Sequence, residues 1–111
     1  MRQASRTPEP PYWAVIFSSR HDPADSEYAA MAERMAQRSA AMPGFLGMEH
    51  AGAADGFAIT VCYWDSPEAI ARWRADLEHT EAQRRGRDSF YDYFELRVAR
   101  VERAHGFDRD E

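Results

Sequence analysis

The sequence has no lysine and a single cysteine, Cys62. Its fourteen basic residues are therefore all arginines, which excludes a Schiff-base lysine and a phosphate-loop lysine. One cysteine cannot form an intrachain disulfide, so the chain does not require an oxidising compartment. The longest apolar run, Trp13–Phe17, is far shorter than the roughly 20 residues of a membrane span. No signal-type apolar segment follows Met1, and we therefore expect a cytoplasmic protein without a membrane partner.

Excess positive charge is also absent, because nineteen acidic residues outnumber the basic ones and the formal net charge is -5. Proteins that bind the phosphate backbone need clustered positive charge, so nucleic acid is not an expected partner. Hydrophobic residues make up 44% of the 111 residues and aromatic residues 13%, which is typical of a folded chain of one domain. We predict a disordered N-terminal arm over residues 1–10, a folded domain over 11–104 and a flexible C-terminal tail over 105–111.

Apolar periodicity predicts the first two elements. The run Tyr12–Ser19 has β-branched and aromatic residues on both alternating faces, which favours a strand covered on both sides. A helix then begins at Asp22-Pro23 or at Asp25-Ser26 and ends at Met42-Pro43-Gly44. Its apolar residues recur at helical spacing: Tyr28, Met31, Met35 and Met42.

The middle of the chain predicts a hairpin and a second helix. Phe45–Ala51 and Phe57–Trp64 are apolar runs joined by Asp55-Gly56, a pair that suits a two-residue turn with positive φ. The second helix begins at Ser66-Pro67-Glu68, buries Ile70, Trp73 and Leu77, and continues to about Gly86. A final strand spans about Tyr91–Glu102.

The resulting order is strand, helix, strand, strand, helix, strand, which predicts an α+β, ferredoxin-like βαββαβ sandwich. In this plan, two helices cover one face of an antiparallel four-stranded sheet. The second face would expose more apolar surface than monomers usually tolerate. A standard interface of about 800 Å² per partner would cover it, so we predict a homodimer through the sheet faces.

Several of these segments together resemble the antibiotic biosynthesis monooxygenase domain family over about residues 11–103. Members of this family are dimeric α/β barrels in which two ferredoxin-like sheets pack together, and each subunit has a pocket between its sheet and its helices. The resemblance rests on Trp13–Phe17, Pro43–Gly47, Gly56-Phe57, Ile59–Val61, Tyr63-Trp64, Ser66, Glu68–Ile70, Trp73 and Arg97–Glu102.

The family includes cofactor-free oxygenases that convert polycyclic phenols to quinones, quinol oxygenases, haem-degrading enzymes and members without a tested activity. This chain is most similar to the last group. The haem degraders have an iron-binding histidine at the position of Gln83, and an amide is a poor axial ligand by comparison. The resemblance therefore implies an oxygenase without a cofactor rather than a haem enzyme.

Two residues on the second helix are the main catalytic candidates. The indole of Trp73 would stack on a flat aromatic substrate, although core packing explains a buried tryptophan equally well. His79 would act as the base, because histidine side chains titrate near neutral pH. A place on the surface or at the dimer rim is the alternative for His79.

A second group of residues are candidate ligand contacts: Ser18, Tyr63, Trp64, Gln83 and Tyr93. Each has a structural alternative: a strand-end hydrogen bond for Ser18, solvated helix surface for Gln83, and the core or the dimer seam for the aromatic residues. Cys62 lies in an apolar run and is expected to be buried and inert. The spacing of His, Cys, Asp and Glu residues predicts no metal site.

The first hypothesis is a cofactor-independent monooxygenase that oxidises an electron-rich aromatic compound such as a phenol, anthrone or quinol. The alternative is a non-catalytic dimer that binds a small apolar molecule. Haem binding comes third, and nucleic-acid binding through the sheet is the last option, against which the negative charge argues.

Overall fold

The computed structural model of the chain describes residues 4–78 and 91–109. Its strands and helices follow one another in the predicted βαββαβ order. The elements are β1 (Tyr12–His21), α1 (Ser26–Ala40), β2 (Phe45–Gly52), β3 (Phe57–Trp64), α2 (Pro67–Glu78) and β4 (Tyr91–Val101). The predicted continuation of the second helix to Gly86 lies outside the described residues.

The four strands form one antiparallel sheet in the order β2-β3-β1-β4, which confirms the ferredoxin-like α+β fold. The register assigns the side chains to two faces, because directly paired residues project to the same side. Val15 pairs with Cys62 and with Val98 on the side that the helices cover, which we call the helix face. Ile16 pairs with Val61 on the opposite side, which we call the open face.

The main core lies between the helix face and α2. Val15, Cys62 and Trp64 from the sheet contact Ile70 and Trp73 from the helix, and each of these side chains is buried. Burial of side chains of this size contributes roughly 1.5–3 kcal/mol each. The core therefore fixes α2, and with it Trp73, against the central strands.

Both helices begin where a side chain caps the backbone. Asp25 accepts hydrogen bonds from the backbone N–H groups of Glu27 and Tyr28, which selects the second of the two predicted starts of α1. Ser66 Oγ accepts from the backbone N–H of Ala69 at the start of α2. Both caps satisfy backbone N–H groups that have no partner within the first helical turn.

The β2–β3 connection is longer than predicted. Residues 53–56 form a four-residue loop, in which Gly56 N–H donates to Ala53 O and Phe57 N–H donates to Asp55 Oδ1. Within this loop only Gly56 has a positive φ, at 98°, and Gly52 lies opposite Ala58, so the predicted two-residue turn at Asp55-Gly56 was wrong. The carboxylate of Asp55 stabilises the loop instead of a left-handed conformation at that residue.

The described part of the N-terminal arm lies against the open face. Ser5 donates its backbone N–H to Glu49 Oε2 and its hydroxyl to Met48 O, at 2.9 and 3.2 Å. Thr7 donates its hydroxyl to the Tyr12 hydroxyl at 2.9 Å. The arm therefore covers the end of the open face near β2, while Ile59 remains 41% exposed.

Candidate functional site

A cavity of about 470 Å³ lies between the helix face of the sheet and the two helices. Ligand pockets for small organic molecules have volumes in this range. Its wall consists mainly of apolar side chains, including Val15, Met31, Met35, Met48, Leu77 and Leu96. Tyr28, Met31 and Met35 of the predicted apolar stripe thus line the cavity, whereas Met42 lies beyond the end of α1 and packs against the main core.

Aromatic side chains surround one end of the cavity. The ring of Phe17 lies 5.4 Å from the rings of both Tyr91 and Phe94, and Tyr91 lies 5.6 Å edge-on from Tyr28. Burial, together with the neighbouring Tyr28, raises the pKa of Tyr91 well above its ordinary range. The phenol therefore stays neutral, and this end of the cavity presents aromatic surface without charge.

Trp73 contributes its indole to the cavity wall and is fixed by a buried hydrogen bond. Its Nε1–H donates to Ser39 Oγ at 2.9 Å, and the Ser39 hydroxyl donates to Met35 O one turn earlier in α1. A buried indole N–H usually finds such a partner. The bond joins α2 to α1 and holds the ring at one orientation, with Trp64 packed 5.5 Å away.

A polar pair lies at the solvent-accessible side of the cavity. His50 on β2 and Thr60 on β3 are paired in register on the helix face, and His50 Nδ1 lies 2.8 Å from Thr60 Oγ1. Both residues line the cavity, while the His50 side chain is exposed. The cavity thus combines an apolar interior with an imidazole at its mouth.

Cys62 lies in the cavity wall next to this pair but is not a reactive group. Burial raises the pKa of its thiol to about 11, so the nucleophilic thiolate is scarce at neutral pH. The described residues contain no group of three or more His, Cys, Asp or Glu side chains that could bind a metal ion.

The structure separates the residues that were predicted from the sequence. Trp73 lines the cavity, whereas Trp64 lies in the core behind it and is fully buried. Ser18, Tyr63 and Tyr93 project from the open face, because their register partners are Ile59, Gly47 and Arg20. They therefore do not line the cavity, contrary to expectation. His79 and Gln83 lie outside the described residues.

On the open face, Tyr63 belongs to a small hydrogen-bonded cluster. Its hydroxyl donates to Glu49 Oε1 at 2.7 Å, and the second oxygen of that carboxylate accepts from Ser5. Burial and the nearby Glu49 carboxylate raise the pKa of Tyr63 above its ordinary range. Tyr63 therefore links the arm to the sheet.

Sequence reasoning missed His50, which is the described histidine that reaches the cavity. Its spacing from Met48 gave a signal, because residues two apart on a strand share a face. The hydrogen bond to Thr60 depends on the hairpin register, which the sequence did not determine.

Neither helix in the described part of the chain is long and apolar enough to span a bilayer.

Curated proteins similar to this chain include one close relative and one distant one. The chain is 50% identical to the uncharacterised protein YqjZ of Bacillus subtilis over 103 residues, covering 93% of this chain and 90% of that protein. It is 28% identical to jasmonate monooxygenase ABM of Pyricularia oryzae over 92 residues, covering 80% of this chain. That match spans 43% of the fungal protein.

Solved structures with the same fold share little sequence with this chain. SnoaB of Streptomyces nogalater, described as a cofactor-independent oxygenase, matches with a TM-score of 0.69 at 18% identity, covering 84% of this chain and 95% of that chain. PA3566 of Pseudomonas aeruginosa matches with a TM-score of 0.63 at 14% identity, covering 95% of this chain and all of the other.

The family model described as antibiotic biosynthesis monooxygenase matches residues 11–85, which is more than half of the chain. This match agrees with the βαββαβ sheet and with the cavity between the sheet and the helices. The chain belongs to the antibiotic biosynthesis monooxygenase family.

Proposed function

We propose that the chain is a cofactor-independent monooxygenase that oxidises a flat, electron-rich aromatic compound such as a phenol, anthrone or quinol. The observation that carries the proposal is the apolar cavity of about 470 Å³, with Trp73 and aromatic residues in its wall, in a member of this family. The fold that it shares with SnoaB supports the same chemistry.

The reaction requires no external reductant when the substrate supplies the electrons. A carbon that carries hydrogen becomes a carbonyl, the substrate loses two hydrogens, one atom of O₂ enters the product and the other leaves as water. The protein binds the substrate, favours its electron-rich anion and excludes bulk water from it. The cavity provides the apolar enclosure for this purpose.

Trp73 is the proposed stacking surface for the ring of the substrate. Its N–H is already bonded to Ser39, so the indole does not need a polar partner from the ligand. Stacking against a fixed ring costs little conformational entropy, and aromatic pairs contribute about 0.5–1.5 kcal/mol beyond their buried area. His79 stays a predicted base.

An oxygen electrode tests the proposal directly. The purified protein is mixed with a panel of phenols, anthrones and quinols, with and without a chelator, and we expect uptake above the protein-free rate that the chelator does not abolish. The variant Ala36→Phe fills the cavity and should abolish uptake, whereas Ala30→Phe on the exposed side of the same helix should not. No uptake with any compound would contradict the proposal.

A non-catalytic ligand-binding protein is the second candidate, because the same cavity supports binding without turnover. In that case the aromatic compounds would quench tryptophan fluorescence in the Ala30→Phe protein but not in the Ala36→Phe protein, and no oxygen would be consumed. The two measurements together distinguish the candidates.

We further propose that two subunits pack through their open faces. Ile59 is 41% exposed and Tyr93 is 52% exposed on this face, and the neighbouring Ile16 and Val61 are half-buried. A stable interface buries roughly 800 Å² per partner, and this apolar surface, with Arg20, Glu95 and Arg97 beside it on the same face, suits such a contact. A homodimer would remove it from water.

A further inference from the structure

We propose that His50, oriented by Thr60, accepts the hydroxyl proton of the bound aromatic compound, and that the substrates of this site are therefore planar aromatics with an acidic hydroxyl group. This role rests on the proposed oxygenase function and deepens it. His50 would be a catalytic residue, and Thr60 a positioning residue that acts through it.

The sheet fixes the position of the imidazole. His50 and Thr60 lie directly opposite each other on the helix face of neighbouring strands, with Nδ1 and Oγ1 at 2.8 Å. When Nδ1–H donates to the threonine oxygen, Nε2 carries the lone pair that accepts a proton. A hydrogen bond on one ring nitrogen thus selects the tautomer and limits rotation of the ring.

The location of His50 suits a base that must be used repeatedly. The side chain lines the cavity and is also exposed to solvent. Its Nε2 lies near Gly52, and in the proposed role this nitrogen takes a proton from a ligand that reaches it from the cavity and releases that proton to water afterwards. The aromatic end around Phe17, Tyr91 and Phe94 lies in the same cavity and would accept the apolar part of the ligand.

The other titratable groups in the described lining are Tyr28 and Glu33 on α1, Cys62 on β3 and Tyr91 on β4. Burial raises the pKa of both Cys62 and Tyr91, so each keeps its own proton at neutral pH. Glu33 is exposed and accepts a hydrogen bond from Gln37, one turn along the same helix. Glu33 is therefore the rival acceptor in the described lining, and His79, the base predicted from the sequence, is a second rival that an experiment must exclude.

The proton transfer balances without any other reactant. The O–H bond of the ligand breaks, the proton moves to the imidazole nitrogen, and the electron pair stays on the oxygen. The phenolate formed in this way is the electron-rich anion that the proposed oxidation requires. A methyl ether of the same ring would fit the cavity but could not take part.

Binding of para-nitrophenol tests this role without turnover, because its phenolate absorbs visible light. We expect the apparent pKa of the bound probe to be at least about one unit lower than that of the free probe, a tenfold shift towards phenolate. His50→Gln should abolish the shift while para-nitroanisole still quenches tryptophan fluorescence. Thr60→Val should reduce the shift, whereas Thr60→Ser, which keeps the hydroxyl, should preserve it.

Three results would overturn the proposal: an unchanged shift in His50→Gln, loss of the shift in Glu33→Gln or His79→Gln, or failure of the wild-type protein to bind the probe. Oxygen uptake is measured separately on the same proteins. A His50-dependent shift without oxygen uptake would contradict the oxygenase proposal and leave the proton acceptor intact. If oxygen uptake instead falls at the same acidic pH in wild type and in His50→Gln, the oxygenase proposal stands and His50 is not the proton acceptor.

Discussion

The hydrogen bond from Trp73 to Ser39 links the two helices inside the core. Both partners are buried, at 8% and 4% exposure, and the bond length is 2.9 Å. An unpaired buried donor costs about 1–3 kcal/mol, which is more than a satisfied bond contributes. Ser39 is therefore the residue through which α1 fixes the orientation of the Trp73 indole.

Ser39→Ala should lower the free energy of unfolding by about 1–3 kcal/mol, because it leaves the Trp73 N–H unpaired. In a Trp73→Phe background the same change should cost much less, since phenylalanine has no N–H. Urea denaturation of the four proteins measures the coupling between the two positions. Equal costs of Ser39→Ala in both backgrounds would show that the bond does not stabilise the fold.

Cys62 reports whether the cavity is occupied. Since burial raises the pKa of its thiol to about 11, the thiolate population at pH 8 is roughly a hundredfold or more below that of an ordinary cysteine. A thiol reagent should therefore react slowly with the folded protein and faster as the pH rises towards 11. A ligand in the cavity should slow the reaction further, and fast modification at pH 8 would contradict the burial.

At the scale of single residues, the sequence predicted which side chains are buried better than it predicted the face of the sheet to which they project. Trp73 and Cys62 were identified as cavity or core residues from their apolar neighbours. Ser18, Tyr63 and Tyr93 were assigned to the cavity although they lie on the open face. A strand with apolar residues on both faces does not indicate which face the helices cover.

At the scale of elements, the order and approximate bounds of the strands and the described helices followed from apolar periodicity and caps. The β2–β3 loop did not. A two-residue turn at Asp55-Gly56 would place His50 opposite Val61 on the open face, whereas the observed register, in which Gly52 lies opposite Ala58, pairs His50 with Thr60. The observed register differs by one residue from the one that a two-residue turn gives. The sequence therefore did not predict that His50 and Thr60 form a polar pair.

Gly56 is the position in this loop that requires glycine. Its φ is 98°, and a Cβ atom there would lie 1.9 Å from His21 O, which no rotation of a side chain relieves. Gly56→Ala should destabilise the protein by at least about 2 kcal/mol, since strained backbone alone costs about 1–3 kcal/mol. The thermal midpoint measures this loss.

Gly106→Ala is the matched control, because a Cβ atom at Gly106 would meet no other atom within 4 Å. We expect its thermal midpoint to equal that of the wild type within error. Equal midpoints for Gly56→Ala and the wild type would mean that the loop adopts another conformation.

At the scale of the whole molecule, the sheet has one covered face and one that is largely open. In the part of the chain that the structure describes, Ser5 and Thr7 of the arm cover the end of this face near β2, where Glu49 bonds both Ser5 and Tyr63. On the same face, Ile59 of β3 and Tyr93 of the edge strand β4 stay exposed. The prediction of a homodimer depends on this remaining apolar patch.

Ile59→Glu should convert a dimer into a monomer, because a charge at the centre of an apolar interface lacks a partner. Ala30→Glu introduces the same charge on the exposed side of α1 and should leave the dimer intact. Light scattering at micromolar concentration gives the mass of each protein. A monomeric wild-type protein would contradict the dimer.

The central claim is that the cavity hosts oxygenation of an aromatic compound by O₂. The most direct test is to run the reaction under O₂ that is labelled with the heavy oxygen isotope and to measure the mass of the product by mass spectrometry. We predict that the wild-type product contains one heavy oxygen atom and that the Ala36→Phe protein, with its cavity filled, forms no such product. Product that carries oxygen only from water, or no product with any aromatic substrate, would contradict the claim.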